Sequence, residues 1–389
     1  MQITINQSDL AKNLSIVTRA LPNKSILTIL ENILIDFDRV NSAIICTATD
    51  LSMHIKAVIP AQFGLIDDCQ GLKQICVSGK QFKDIIGSLP SSNPVELTLK
   101  FKNDTAGTDD LSGLNIQSGK AKFNIPVISA TEFPIVPEPS GDSFILPADD
   151  FKQAIKQTIF ATTQDDPRPF IAVICMDLEP GGIKIVATDQ NRLVTYQLSC
   201  DTKLSKRSLI PAALIKKILD VFDNGTNIQF YSTDTKLFIV SNSGKVITGL
   251  SLVNASYPQY QQIFKMFETT LGVLSINADT FAKTLGRVKL INDRVILRVH
   301  PGNATMDISC TCDRGDFQED ISIKEIRADS EFYNMFHVGY LLDFLKNTEA
   351  ETIDCQYLVT DRAAQFIEHD DSGRNVCQYV VMPMKMGAQ

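Results

Sequence analysis

Residues 1–21 read MQITINQSDLAKNLSIVTRAL. The stretch is an alternating strand, a polar turn, and a helix with Leu10, Leu14 and Val17 on one stripe. The pattern returns at 143–161, SFILPADDFKQAIKQTIFA, with Phe151, Ile155 and Ile159 on the stripe. It returns again at 273–291, VLSINADTFAKTLGRVKLI, with Phe281, Leu285 and Val288. A second strand-and-helix unit follows each: ICVSGKQFKDIIGSL from Ile75, SLIPAALIKKILDVF from Ser208, MFHVGYLLDFLKN from Met335. The period is domain-sized, far longer than that of a solenoid. The text between is strand-like, as in NILIDF, GIKIVATD, NIQFYST and VILRVH. Each third is therefore predicted to be an α+β domain, two helices packed on antiparallel sheets. Boundaries fall at PIVPEPSGDS (134–143) and near Phe267–Thr270, giving domains 1–140, 141–268 and 269–389. Asp9, Asp149 and Asp279 are expected to cap the helix starts.

A chain of 389 residues, 44% hydrophobic and 21% charged, can fill two or three cores and is not a disordered type. It contains no apolar run of 18 residues, and its polar, alternating N-terminus does not read as a secretory leader. Nine scattered cysteines, an odd count, predict free structural thiols and a cytoplasmic protein. The four histidines lie far from any cysteine pair, so no metal or other cofactor is expected. Nucleotide-loop, metalloprotease, hydrolase and kinase motifs are absent, so no catalytic residues are assigned. Thr49–Asp50, Thr188–Asp189 and Thr360–Asp361 recur after apolar strands, once per third. Three aspartates could suggest a metal cluster, but one copy per domain at one strand-to-turn position predicts turn chemistry.

The net charge is −8, which alone argues weakly against a nucleic-acid partner. The distribution argues the other way. The six predicted helices (7–20, 79–89, 148–163, 211–222, 278–291 and 337–347) hold twelve Lys and Arg against seven acids, so the remainder carries −13. A basic set of helices on an acidic protein suits a polyanion. The tail, YVVMPMKM (379–386), is apolar and methionine-rich where tails are normally polar, as a docking surface would be.

In order and at these spacings, the opening strand and helix, TILENIL (28–34), ATDL (48–51), EFPIV (132–136), VATDQNRL (186–193), SYPQY (256–260), VGYLLDFL (338–345) and YVVMPMKM resemble the beta subunit of bacterial DNA polymerase III, the sliding clamp. The resemblance implies a head-to-tail homodimeric ring of repeated clamp domains, helices lining a hole that encircles duplex DNA without regard to sequence. It implies a non-catalytic subunit of a DNA-directed DNA polymerase holoenzyme. Its partners would be the polymerase III catalytic subunit, the clamp loader, other polymerases, ligase and mismatch-repair proteins, with no membrane. The family's partner-peptide groove carries over to Arg168, Ile171, Thr188, Gln190, Asn191, Arg192, Leu193, Pro258, Gln262, Ile263, His337, Tyr340, Ala363, Gln365, Met382, Pro383, Met384 and Lys385. Arg168 and Arg192 would offer charge-assisted bonds at its rim or to the peptide backbone. Gln190 stands where the family often has Gly, Asn191 where it often has His, and Gln262 where a basic residue is common. DNA-facing residues would be Lys12, Lys24, Lys80, Lys83, Lys152, Lys156, Lys216, Lys217, Lys283 and Arg287. The segment Pro211-Ala212-Ala213 departs from a basic pair often found there. Phe123, Ile125, Leu290 and Ile291 would form the dimer contact. The stretch NDTAGTDDLSG (103–113) is longer than typical and reads as an acidic outer loop.

Two alternatives differ in class. A catalyst needs a constellation of residues that is not found, and a three-domain scaffold without DNA would not need basic helices. Helix width favours a dimer. With helices about 10 Å across, a ring of six leaves too small a hole for duplex DNA, whereas twelve leave roughly 28 Å.

Overall fold

A computed structural model describes residues 2–64, 73–101, 111–163, 168–300, 304–328, 331–358 and 362–385. The chain opens with β1 (Gln2–Ile5), α1 (Gln7–Val17), β2 (Asn32–Asp38), β3 (Ala43–Thr49), β4 (Met53–Pro60), a two-residue β5 (Gln62–Phe63) and β6 (Gln74–Ser78). Helix α2 (Gly79–Ser88) and strands β7 (Val95–Phe101), β8 (Leu111–Ser118) and β9 (Ala121–Ile125) follow. A like succession comes next: β10 (Asp142–Pro147), α3 (Ala148–Lys156), β11 (Val173–Glu179), β12 (Gly182–Thr188), β13 (Arg192–Ser199), β14 (Lys206–Pro211), α4 (Ala212–Ile218), β15 (Asn227–Ser232), β16 (Lys236–Ser241) and β17 (Val246–Ser251). After a short α5 (Gln261–Lys265) come β18 (Gly272–Asn277), α6 (Ala278–Val288), β19 (Arg294–Val299), β20 (Thr305–Cys312), β21 (Gly315–Ala328) and β22 (Phe332–His337). Helix α7 (Val338–Leu345) and strands β23 (Thr352–Tyr357), β24 (Ala364–His369) and β25 (Asn375–Val381) close the chain.

These elements form two compact units, Met1–Ala148 with Leu214–Leu252, and Asp149–Ala213 with Val253–Gln389. The first unit holds a five-stranded sheet, β5-β1-β7-β8-β9, and an eight-stranded sheet, β10-β15-β16-β17-β4-β3-β2-β6. The second holds one twelve-stranded sheet, β14-β11-β12-β13-β25-β24-β23-β18-β21-β20-β19-β22. Strands from different thirds of the sequence meet at β17–β4 in the first unit and at β13–β25 in the second. The middle third thus gives four strands to each unit. Its β12 is buried at every position but one, as a strand covered on both faces should be.

The helix stripes behave as their period predicts. Leu10, Leu14, Val17, Phe151, Ile155, Phe281, Leu285 and Val288 are all fully buried, and each such side chain contributes about 1.5–3 kcal/mol. Ile159 is only half-buried, because α3 ends at Lys156 and a 3₁₀ turn carries the chain on. The caps differ from expectation. Asn6 and Asn277 cap α1 and α6, their side chains accepting from the Asp9 and Thr280 amides at 3.1 and 2.9 Å. Asp9, Asp149 and Asp279 lie in first turns, where they still meet the positive end of the dipole. Among the described residues eight cysteines are free, seven of them buried. Most of 103–113 lies outside the described residues, as do Thr360, Asp361 and Met386.

Candidate docking groove

Between β12 and β13 the chain turns through Thr188–Arg192. The Thr188 hydroxyl donates to the Arg192 carbonyl at 2.7 Å and accepts from the Gln190 amide at 3.1 Å. Asp189 Oδ1 accepts from the Asn191 and Arg192 amides, both at 3.0 Å. Thr-Asp is turn chemistry here, as its position predicts. The turn places Gln190 at φ +75°, in the left-handed region.

Beyond the turn, β13 pairs with β25, setting Leu193 directly opposite Val380. Cross-strand partners share a face, and these two form the floor of a cavity of about 270 Å³. Its other lining residues are Phe170, Thr188, Gln190, Arg192, Pro258, Tyr260, Ile263 and Met382. Leu193, Val380 and Tyr260 are buried and belong to one cluster with Val173, Cys175, Tyr257 and Phe267. Ile263 and Met382 stand 37% and 50% exposed at the mouth. Strand β25 stops at Val381, and Met382 continues its ladder by donating its amide to the Asn191 carbonyl at 2.8 Å.

Arg192 lines the cavity, but its guanidinium is already bonded within the chain. Its side chain is 9% exposed, and its Nε donates to Asp189 at 2.9 Å, Nη1 to Asp343 at 2.7 Å and Nη2 to the Phe160 carbonyl at 2.6 Å. The guanidinium also lies over the Tyr340 ring, 4.5 Å from its centre. Burial works against the charge, but the Asp343 and Asp189 carboxylates outweigh it and raise the pKa. The sequence could not show this, because Phe160 and Asp343 come to Arg192 from distant segments. Arg192 braces the wall, and Arg168 reaches the mouth, donating to the Gln190 side chain.

The remaining expected residues sort by depth. Ile171 and Gln365 are buried behind the wall, and Ala363 packs on the apolar cluster. His337 packs against Tyr340 with ring centres 4.6 Å apart and the rings tilted by 38°, and Asn191 Nδ2 lies 3.4 Å from the Tyr340 hydroxyl. Met384 is tied by its amide to the Met335 carbonyl at 2.7 Å; it and Pro383 are half-buried, while Gln262 and Lys385 are exposed. Phe170, Tyr260 and Val380 were not among the expected residues, although Tyr260 and Val380 lie within SYPQY and YVVMPMKM.

Lys24, Lys80, Lys83, Lys156 and Lys216 are exposed, and Lys152 is half-buried. Four of the expected cations pair with carboxylates: Lys12 with Asp223 at 3.1 Å, Lys217 with Asp50 at 3.4 Å, Lys283 with Asp279 at 2.6 Å, and Arg287 with Glu319. Exposed pairs of this kind contribute at most about 1 kcal/mol, so a phosphate can compete for them. Phe123 on β9 is 37% exposed and Leu290 80% exposed, with Ile291 half-buried. Ile125 is different. At 1% exposure it points into the first unit's core and offers only its backbone to a neighbour. Among the described residues no group of three His, Cys, Asp or Glu side chains could hold a metal, and no helix is long and apolar enough to cross a membrane.

Two family models match in chain order: the N-terminal domain of the DNA polymerase III beta subunit over residues 1–137 and its central domain over 145–259. The beta sliding clamp of Salmonella typhimurium is 22% identical over 392 residues, covering 99% of this chain and 100% of the relative. That of Staphylococcus epidermidis is 25% identical over 372 residues, covering 92% and 93%. Among solved structures, the DNA polymerase sliding clamp of Bacillus subtilis shares the fold with a TM-score of 0.85 at 22% identity over 99% of both chains. The polymerase III beta subunit of Pseudomonas aeruginosa gives 0.86 at 19% identity, covering 99% of this chain and 100% of that one. With both models on one chain and together spanning well over half of it, the protein belongs to the DNA polymerase III beta subunit family, whose members are non-catalytic.

Proposed function

We propose that the chain is a processivity factor: three clamp domains (1–140, 141–268 and 269–389) that form, as a twofold dimer, a ring around duplex DNA. The observation that carries the ring is how sheet edges are used. Strand β4 pairs with β17, and β13 pairs with β25; each time the third strand after an opening helix meets the last strand of the next third. Strand β9, the last strand of the first third, stands at a sheet edge. In β21, residues 315–322 pair with β20 and residues 323–328 with β18, so the first part has one strand neighbour among the described residues. A third use of the same pairing, β21 of one copy with β9 of another, closes a head-to-tail dimer through two equal contacts. Phe123 lies on β9. Leu290 and Ile291 lie beside the β20–β21 hairpin, where the Cys312 thiol meets the Ile291 carbonyl at 3.4 Å.

Exposed lysines on a protein of net charge −8 suit loose, sequence-independent contact with phosphates, and topology rather than affinity holds a ring in place. The groove at Leu193, Val380 and Met382 takes a short apolar peptide from the polymerase catalytic subunit, the clamp loader, or a repair polymerase, ligase or mismatch-repair protein. Tethering there raises each partner's concentration at DNA.

Light scattering should give twice the 43.0 kDa chain mass. Once loaded, the protein should stay on nicked circular DNA in moderate salt and slide off when the circle is cut. Equal loss from circle and line would reduce the interaction to ordinary electrostatics. Removing residues 382–389 should abolish binding of a clamp-binding peptide while leaving the dimer intact.

A further inference from the structure

Pairing registers place Asp36 and Asp177 at the same position in the two units. Ser78 and Pro211 immediately precede α2 and α4, and they pair with Asn32 and Val173. Four residues along, Asp36 pairs with Gln74 and Asp177 with Arg207. A connecting segment crosses each sheet at this point. In the first unit Phe133 packs on Leu34 and Cys76; in the second Tyr257 joins the cluster of Cys175 and Leu209, which hold the matching register positions.

Three residues beyond these aromatics the segments diverge. Tyr260 in the second unit donates its phenol O–H to Asp177 at 2.8 Å, and Arg207 donates to the same carboxylate oxygen at 2.7 Å. The Arg207 guanidinium lies over the Tyr260 ring, 5.7 Å from its centre. The first unit has Val136 at this place, too short to reach Asp36. What remains is an open cleft of about 820 Å³, lined among others by Leu34, Asp36, Thr47, Phe133, Val136 and Glu138. Among the described residues Asp36 accepts a side-chain bond from Gln74, and burial pushes its carboxyl above the usual carboxylate range despite that bond and nearby Lys56. Two apolar residues bordering the cleft, Ile135 and Val40, are 98% and 93% exposed.

We propose that this cleft is a second docking site, which takes a tyrosine side chain on an extended segment of a partner protein, its phenol donating to Asp36. The second unit supplies the argument for the occupant. There the same sheet position, beneath the same aromatic anchor, is filled by a phenol bonded to the equivalent carboxylate. Ile135 and Val40 give the flanking residues of such a segment apolar surface to cover. The site is independent of the Leu193 groove and involves none of its residues.

The test uses the full chain with methyl-labelled isoleucine and valine, titrated with N-acetyltyrosinamide and, separately, N-acetylphenylalaninamide. The Ile45, Ile135 and Val136 methyl signals should shift saturably, with the tyrosine probe roughly tenfold tighter, as a hydrogen bond to a charged acceptor confers. In Asp36→Asn that preference should shrink severalfold. Val136→Tyr should seat its own phenol, abolish the response to the probe and raise the thermal midpoint. Equal binding of the two probes would overturn the proposal, as would an undiminished probe response in Val136→Tyr, which also decides the matter if Asp36→Asn does not fold.

Discussion

The turns Thr49–Met53 and Thr188–Arg192 are the same object built twice. In the first, the Thr49 hydroxyl donates to the Met53 carbonyl at 2.8 Å and accepts from the Leu51 amide at 3.0 Å. Asp50 Oδ1 accepts from the Ser52 and Met53 amides at 3.0 and 2.8 Å, and Leu51 has φ +72° against +75° for Gln190. Among the described cavities, the apolar groove borders the second turn and not the first. Two substitutions account for the difference. The last turn residue is Met53, fully buried, against Arg192 with its two carboxylates. The next is His54, opposite Gly249, against Leu193 opposite Val380. A β-carbon on Gly249 would come within 2.1 Å of the His54 ring, so the histidine fills the space above that glycine. A fixed turn supplies the position, and the second and third residues after its αL position decide whether a pocket opens there.

The largest effect should come from making the second turn like the first. Arg192→Met removes the cation between Asp189, 9% exposed, and Asp343. Breaking a buried pair costs about 3–5 kcal/mol, because the remaining carboxylate is left uncompensated. The urea midpoint should fall accordingly, and adding Asp189→Asn should recover part of the loss. A midpoint within about 0.5 kcal/mol of the parent would show that Arg192 is not the brace described here.

Much of this was legible beforehand because it is local. The helix stripes, most strand segments and the Thr-Asp turns all follow from side chains within a few residues, and Leu10, Phe281 and Thr188 sit as their patterns predict. What was not legible depends on contacts between distant segments. No periodicity announces that β4 will pair with β17, nor that Arg192 will find Phe160 and Asp343. The caps went to Asn6 and Asn277 because the chain leaves extended geometry there, three and two residues before the aspartates. Most of the groove's expected lining came from resemblance. Tyr260 was missed because its phenol is committed to Asp177, which only the register reveals.

A pH experiment separates the two turns further. Burial, with Lys236 adding to it, pushes His54 down to about 4, whereas Glu138 partly offsets the nearby positive charge of Lys236 and Lys56. The unfolded chain protonates near 6.5, so the unfolded state gains protons first as pH falls. Stability associated with neutral His54 is present above about 6.5 and is lost progressively as pH falls to about 4, by roughly 3 kcal/mol. His54→Leu puts the second unit's residue at this place and removes that dependence. Carboxylates titrate in both proteins, so the quantity to measure is the difference between their unfolding free energies at pH 7 and pH 4. If that difference does not change with pH, the histidine is not buried as a neutral ring.

The smallest effect is the sharpest comparison. Leu51 and Gln190 share a left-handed backbone that costs a side chain roughly 1 kcal/mol relative to glycine. Glycine also frees the unfolded chain by a similar amount, so Leu51→Gly and Gln190→Gly should each change stability by less than about 1 kcal/mol, and alike. Binding should tell them apart. The Gln190 side chain lines the mouth of the groove and accepts from Arg168, whereas no such cavity adjoins Leu51 among those described. Removing the Gln190 side chain widens the mouth and releases Arg168 from that charge-assisted bond, so affinity for a clamp-binding peptide should rise about two- to fivefold, a fraction of such a bond's worth because the exposed guanidinium bonds to water in its place. Leu51→Gly should leave affinity unchanged. Fluorescence titration of one labelled peptide against both variants reads this directly, and matching affinities would mean that position 190 takes no part in what the groove selects.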